Sequence, residues 1–211
     1  NLFRLPHDEE QPNVGVLRML VGVLFLGLAA YLAPALVKGA DGHRTRPDGT
    51  VYAWVQAFLL PDTTEAFHSD LPGVLAAVAK QQQAGGKAEK PLVFVDFTGV
   101  SCTNCKYNEE NVFSRPEVQA LLRRYELVQL YTDQVPGGFY ANPPSQADRE
   151  LEAAHNGDFE RAAFGTSQLP LYAVLEPLPG GKVKVVGVYD EGKINDPARF
   201  AAFLRKPLEG R

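Results

Sequence analysis

The sequence predicts an α/β domain, a central mixed sheet flanked by helices, preceded by a single membrane-crossing helix. Three observations predict it. Residues 14–37 form an almost wholly apolar run in which Arg18 is the only charge. From about residue 71 onward, short β-branched and aromatic runs alternate with helical spacing of apolar residues. The first such strand, Val93-Phe94-Val95-Asp96-Phe97, passes through Gly99 directly into Cys102-Thr103-Asn104-Cys105, which opens a helical pattern.

The N-terminal third is read first. Residues 1–12 are polar, with Pro6, Pro12 and an acidic patch at Asp8, Glu9 and Glu10, and predict a loop. The chain begins at Asn1 without Met, so it is expected to be a piece of a longer protein. The apolar run is assigned to a transmembrane helix over 13–38. Its 24 core residues would rise about 36 Å, enough for a hydrocarbon core of about 30 Å. A buried core helix would be shorter, and a signal peptide would not carry twelve polar residues in front. Arg18 lies near one end, where it can snorkel. Residues 39–70 are expected to be a linker. Within it, residues 51–60 are apolar with Tyr52 and Trp54, suited either to a membrane interface or to packing on the soluble domain. Counting basic flanks alone (Arg4 and Arg18 against Lys38, Arg44 and Arg46) leans weakly towards a cytoplasmic C-terminal side.

The soluble domain is expected over 71–211. A helix carries Val74, Leu75 and Val78 and stops at Gly85-Gly86. Residues 92–97 are a buried strand, and a helix follows over about 102–111. Ser114-Arg115-Pro116-Glu117 reads as a capping box with Pro in the first turn, starting a helix with Val118, Leu121, Leu122 and Tyr125 on one face. Residues 127–132 are the second strand. Residues 134–144 hold three prolines and two glycines and predict a loop, and 147–164 a helix broken at Asn156-Gly157. Residues 171–175 and 183–189 are strands joined by the turn at 177–181. Asp196 caps a last helix begun by Pro197, with Phe200, Phe203 and Leu204 inward. A helical crossover makes the first two strands parallel, and the short turn makes the last two antiparallel.

The net charge is −4 with no dense Lys/Arg tract, so nucleic acid is not expected as a partner. Cys102 and Cys105 are the only cysteines. Strand, turn, then Cys-x-x-Cys at a helix start is the context of a redox pair. The helix N-terminus favours a thiolate at Cys102, and Cys105 lies one turn on, close enough for a disulfide. The implied chemistry is thiol–disulfide exchange, with Cys102 attacking and Cys105 resolving. Half of a zinc site is the rival reading, but tetrahedral zinc takes four ligands. His7, His43, His68 and His155 offer no paired spacing, and no second Cys-x-x-Cys exists. No cofactor or metal is expected beyond the Cys102–Cys105 pair itself.

Strand, Cys-x-x-Cys helix and the late Leu169-Pro170 before a strand together resemble the thioredoxin fold, as does Asp96 six residues before Cys102. The sequence is more closely similar to the C-terminal part of transmembrane thiol:disulfide interchange proteins of the DsbD type. Leu5-Pro6-His7-Asp8, Asp96-Phe97-Thr98-Gly99, the Cys-x-x-Cys and Asn111-Val112-Phe113-Ser114 carry that likeness. It is specific over 91–133 and weak over 134–165, which looks like an insertion. Ser101 stands where a thioredoxin usually has an aromatic residue, and Thr103-Asn104 replaces Gly-Pro.

The resemblance implies a protein-disulfide reductase in the bacterial inner membrane, with the thioredoxin-like domain periplasmic, against the charge count. Its electrons would come from a cysteine-bearing, membrane-embedded domain of the same protein and pass to oxidised periplasmic thiol proteins. It also implies a cis Leu169-Pro170 peptide set against Cys102, where a substrate strand can pair. Asp96 would lie under the dithiol as proton acceptor for Cys105, the bland alternative being a strand-end Asp binding the Thr98-Gly99 turn. Glu109, four residues after Cys105, would flank the site, the alternative being a solvated helix Glu. Both carboxylates, if ionised, would oppose a thiolate at Cys102. Tyr131, Phe139 and Tyr140 suit a substrate groove or ordinary packing. Rival readings are a singly anchored thioredoxin-like protein of cytochrome c maturation, and a binding module in which the dithiol is idle.

Overall fold

The computed structural model describes residues 15–36, 51–52, 67–83 and 90–209. The expected polar loop at 1–12, most of the linker including residues 53–60 of its apolar segment, and the Gly85-Gly86 helix end lie outside the described residues. Two compact units divide at Pro47 and Asp48.

In the first unit, α1 spans Val16–Leu32, 17 residues, and a 3-10 turn follows over Ala33–Leu36. Pro34 accounts for the change: it has no N–H to donate and its ring crowds the carbonyl four residues back. Among the described residues no helix is long and apolar enough to cross a membrane. The regular helix is therefore shorter than the expected span. It buries none of its residues; Leu17 is 75% exposed and Leu24 70%.

In the second unit Tyr52 is buried, and the chain is next described at the sheet edge. His68 bridges Val128, its N–H donating to Leu127 O and its carbonyl accepting from Gln129 N. Asp70 then accepts from Gly73 N at 2.9 Å and starts α2, Leu71–Gln83. The remaining elements are β1 (Val93–Thr98), α3 (Thr103–Asn108) running into a wider turn at Glu109–Phe113, α4 (Pro116–Leu122) and β2 (Glu126–Tyr131). After these come α5 (Gln146–Phe164), β3 (Leu171–Pro177), β4 (Val183–Tyr189) and α6 (Pro197–Arg205). The sheet order is β2-β1-β3-β4. As expected, β1 and β2 are parallel and β3 and β4 antiparallel; β1 and β3 are also antiparallel.

All six residues of β1 are buried, because helices cover both faces of the sheet. The two-residue repeat of a strand sends Phe94, Asp96 and Thr98 to one face and Val93, Val95 and Phe97 to the other. On the first face Phe94 packs among Phe113, Tyr125, Tyr172 and Phe200, with Phe94 and Tyr172 stacked at 5.7 Å. On the second face Val93, Val95 and Phe97 pack with Leu71 and Val78 of α2 and with Phe164 of α5. The polar pair on the first face, Asp96 and Thr98, is buried there too.

Three local expectations are corrected. The redox helix is regular only to Asn108 and then widens over Glu109–Phe113. Ser114 does not cap α4: its hydroxyl donates back to Glu110 O, and Arg115 stands at the N-cap with no side-chain bond. The helix at 146–164 is unbroken at Asn156-Gly157. Asn156 turns inward and donates to Tyr131 O at 2.9 Å, while Gly157 lies against Thr132, so packing on β2 overrides the turn preference of that pair. Ser145 and Gly165 cap the ends, Gly165 at φ 70°, where glycine is favoured. The last helix is as expected, Asp196 accepting from Ala198 N and Arg199 N.

Candidate redox site

The site is built at the C-terminal end of β1. The chain leaves the sheet at Thr98 and turns at Gly99, whose carbonyl accepts from Cys102 N at 3.1 Å. Asp133, just past the end of β2, clamps that turn. Its carboxylate accepts from Val100 N at 2.9 Å, Ser101 N at 3.1 Å and Ser101 Oγ at 3.0 Å. A Cβ on residue 99 would lie 3.0 Å from Asp133 Oδ2 and 3.3 Å from Leu169 Cδ1. Glycine is therefore needed for close approach: one turn is squeezed between the clamp and the loop that carries Leu169.

Cys102 is the N-cap of α3 and is half-buried, while Cys105 is 1% exposed. The two are joined as a disulfide, and Cys105 N–H donates to Cys102 Sγ at 3.2 Å. That bond gives the outer sulfur a donor that favours negative charge there. The Leu169-Pro170 peptide is cis, as expected, with Leu169 half-exposed and Pro170 buried. Leu169 stands beside the Gly99 turn that precedes the dithiol, so cis-proline loop and cysteine loop share one surface.

Asp96, on the sheet face that also carries Phe94, is 1% exposed. Register sets it between Gln129 on β2 and Tyr172 on β3. Its Oδ2 accepts from Gln129 Nε2 at 3.0 Å, and its Oδ1 has no partner. Burial first, and the charge of Glu109 second, push its carboxyl up to about 8, against Gln129's hydrogen bond and the Lys106 charge. A carboxyl tuned this way takes up and releases a proton near neutrality. The strand-end reading of Asp96 is thereby replaced: it is Asp133 that binds the turn.

Glu109 lies beside Asp96 and is not a free surface residue. Its Oε2 accepts from Lys106 Nζ at 2.9 Å and its Oε1 from Gln129 Nε2 at 3.1 Å. Tyr131 is buried with Val135 and Ala153, and its ring meets Phe139 edge-on at 5.7 Å; Tyr140 donates to Glu152. Tyr131 belongs to the packing that seats residues 135–153 against the site, and burial, then Glu109 and Asp96, push its phenol upward.

Four contributing residues were not singled out in the sequence: Lys106, Asn108, Gln129 and Asp133. A polar Gln inside the apolar strand Leu127-Val128-Gln129-Leu130-Tyr131 and a Lys directly after the second cysteine were signals that could have marked two of them. Asn108 and Asp133 had none. Among the described residues no His/Cys/Asp/Glu group could hold a metal ion. An apolar groove of about 640 Å³, lined by residues such as Leu75, Phe159 and Val185, lies on the other face of the sheet, away from the sulfurs.

Residues 74–177 match the family model described as Thioredoxin-like. No curated protein matches the sequence closely enough to count as a relative. Among solved structures, the chain is similar to a thioredoxin from Thermus thermophilus, at 20% identity and a TM-score of 0.46, covering 69% of this chain and 89% of that one. It is also similar to a disulphide isomerase from Xylella fastidiosa Temecula1, at 16% identity and a TM-score of 0.43, covering 72% of this chain and 99% of that one. The family match over 74–177, the strand order, the cis Leu169-Pro170 peptide and the Cys102–Cys105 disulfide together support a thioredoxin-like α/β fold and thiol:disulfide oxidoreduction.

Proposed function

We propose that the chain is the C-terminal part of a membrane-tethered protein-disulfide reductase of the bacterial inner membrane, with its thioredoxin-like domain on the periplasmic side. The observation that carries the chemistry is the asymmetry of the dithiol: Cys102 is half-buried and Cys105 is buried, on a helix whose Lys106 and the following Glu109 act on Asp96, a carboxyl pushed up to about 8. In the reduced domain the Cys102 thiolate attacks one sulfur of a substrate disulfide. That S–S bond breaks, a mixed disulfide forms, and the leaving sulfur departs as a thiolate that takes a proton from water. Cys105 then gives its proton to Asp96 and attacks Cys102 Sγ. The mixed disulfide breaks, the second substrate sulfur leaves, and Cys102–Cys105 is the new disulfide. Two electrons have passed to the substrate. Cysteines of a membrane-embedded domain of the same protein restore the dithiol, and oxidised periplasmic thiol proteins receive the electrons. Leu169 and the cis Pro170, beside the Gly99 turn, bind the substrate strand. The tether is supported by the almost wholly apolar composition of 14–37, where Arg18 is the only charge, and by the exposed apolar side chains of α1.

Cys102→Ser is expected to abolish thiol-dependent reduction of insulin, and Cys105→Ser to accumulate mixed disulfides on non-reducing gels. Trapping by Cys102→Ser instead would reverse the roles, and turnover by both variants would refute a redox function.

A further inference from the structure

Lys106 follows the resolving cysteine directly, and its side chain is only 3% exposed. An ammonium group at that depth is costly unless it is paired. Its partner is Glu109 Oε2, 2.9 Å away. The other Glu109 oxygen accepts from Gln129 Nε2 at 3.1 Å, and the same nitrogen donates to Asp96 Oδ2 at 3.0 Å. Lys106, Glu109, Gln129 and Asp96 thus form one line from α3 and its extension, across β2, to β1. An amide nitrogen has two N–H groups, so it serves two carboxylates only while both oxygens stay in place. Asp96 is fixed by its strand. Glu109 is on the wider turn after α3 and keeps a quarter of its side chain exposed, so its placement depends on the contact with Lys106.

On the redox reading above, we propose that Lys106 is a positioning residue of the site: its ammonium pins Glu109 so that Gln129 bridges Glu109 to Asp96, and so tunes Asp96 as proton acceptor for Cys105. The charged and titratable groups facing Asp96 are Lys106 and Glu109 from the redox helix and its extension, Tyr131 from β2 and Tyr172 from β3. Lys106 is the cation of that set. Its charge opposes the rise that burial and Glu109 impose on Asp96.

The test is the titration of the Asp96 carboxyl, read by carbon NMR on the full chain with the disulfide closed. Lys106→Met is expected to raise the Asp96 midpoint by about one pH unit. Lys106→Arg, which keeps the charge, is expected to leave it near that of the parent. Lys106→Met/Glu109→Gln is expected to shift it less than Lys106→Met alone, because the unpinned charge is gone. Glu109→Gln, which keeps Lys106, is expected to lower the midpoint, and carries the test if Lys106→Met does not fold. A lower melting temperature in Lys106→Met with an unmoved Asp96 midpoint would reduce Lys106 to a structural ion pair and overturn the proposal. So would an unmoved midpoint in Glu109→Gln. The titration needs no turnover, so it fails or succeeds independently of the Cys102→Ser and Cys105→Ser experiments that test the redox reading.

Discussion

Asp96 has an ordinary carboxyl value of 3.8 and is held up to about 8 in the fold, by burial and then by Glu109. Between those values the folded chain keeps a proton that the unfolded chain has lost. Stability is therefore fullest below about 3.8 and falls as pH rises towards about 8. Asp96→Asn removes the titration and keeps an oxygen for Gln129. It is expected to melt with the parent near pH 4 and well above it at pH 8, by several °C. Melting of the disulfide form across that range checks this; equal slopes in the two proteins would mean that Asp96 is ionised in the fold. Glu160, pushed to about 7 by burial with Arg161 opposing, slopes in the same direction, so the variant keeps part of the decline. At this scale the two cysteines, Asp96 and Pro170 were legible because each is tied to a short pattern in the chain. Lys106, Gln129 and Asp133 were not, because their roles arise from pairing across elements: Gln129 meets Asp96 through parallel register, and Asp133 meets Ser101 across 32 positions.

The redox helix is short, six regular residues, and cannot stand on helix propensity alone. What anchors it is Asn108, fully buried at its last position. Asn108 Nδ2 donates to Tyr172 OH and to Gly192 O, both at 2.9 Å, and its Oδ1 accepts from Ile194 N at 2.9 Å. The helix carrying both cysteines is thereby bolted to β3 and to the loop before α6. Asn108→Ala leaves Ile194 N and Gly192 O buried without these partners. It is expected to destabilise the domain by about 2–3 kcal/mol, read as a lower urea midpoint at unchanged slope. An effect near zero would show that water or a shifted loop replaces the amide. Elements were read correctly where local chemistry and packing agree. Asp196-Pro197 starts α6, and the turn before Val183 pairs β3 with β4. They were misread where packing decides. Ser114-x-x-Glu117 has capping spacing, yet the chain arrives from the widened turn at Glu109–Phe113, and Ser114 spends its proton on Glu110 O. Asn156-Gly157 has turn composition, yet Asn156 has a carbonyl to bind inside a continuous helix.

At the scale of the whole chain, the two compact units have opposite relations to water. Among its described residues, the unit from residue 48 onward buries most of its large apolar side chains in core clusters. The first unit does the reverse: Val16, Leu17, Val23, Leu24, Phe25 and Leu26 of α1 are all more than 60% exposed. A water-soluble protein rarely leaves so continuous an apolar surface uncovered, and apart from Arg18 near its start the helix carries apolar residues on every side, which favours burial in protein or lipid. Its 17 residues rise about 26 Å, somewhat less than a hydrocarbon core of about 30 Å. The apolar sequence continues past Pro34 to Val37, and a short span is met by thinning of the bilayer or by snorkelling of Arg18. The membrane reading therefore predicts a division of behaviour along the chain. Residues 48–211 are expected to remain in the aqueous phase after detergent phase separation, folded and able to cycle Cys102–Cys105. Residues 1–211 are expected to enter the detergent phase. Arginine at both Leu20 and Leu24 adds two charges near the middle of the helix, each costing roughly 2.5–3.5 kcal/mol in a bilayer, and is expected to return the chain to the aqueous phase. If residues 1–211 are monomeric in buffer without detergent, the tether is wrong, and the redox chemistry of the second unit stands without it.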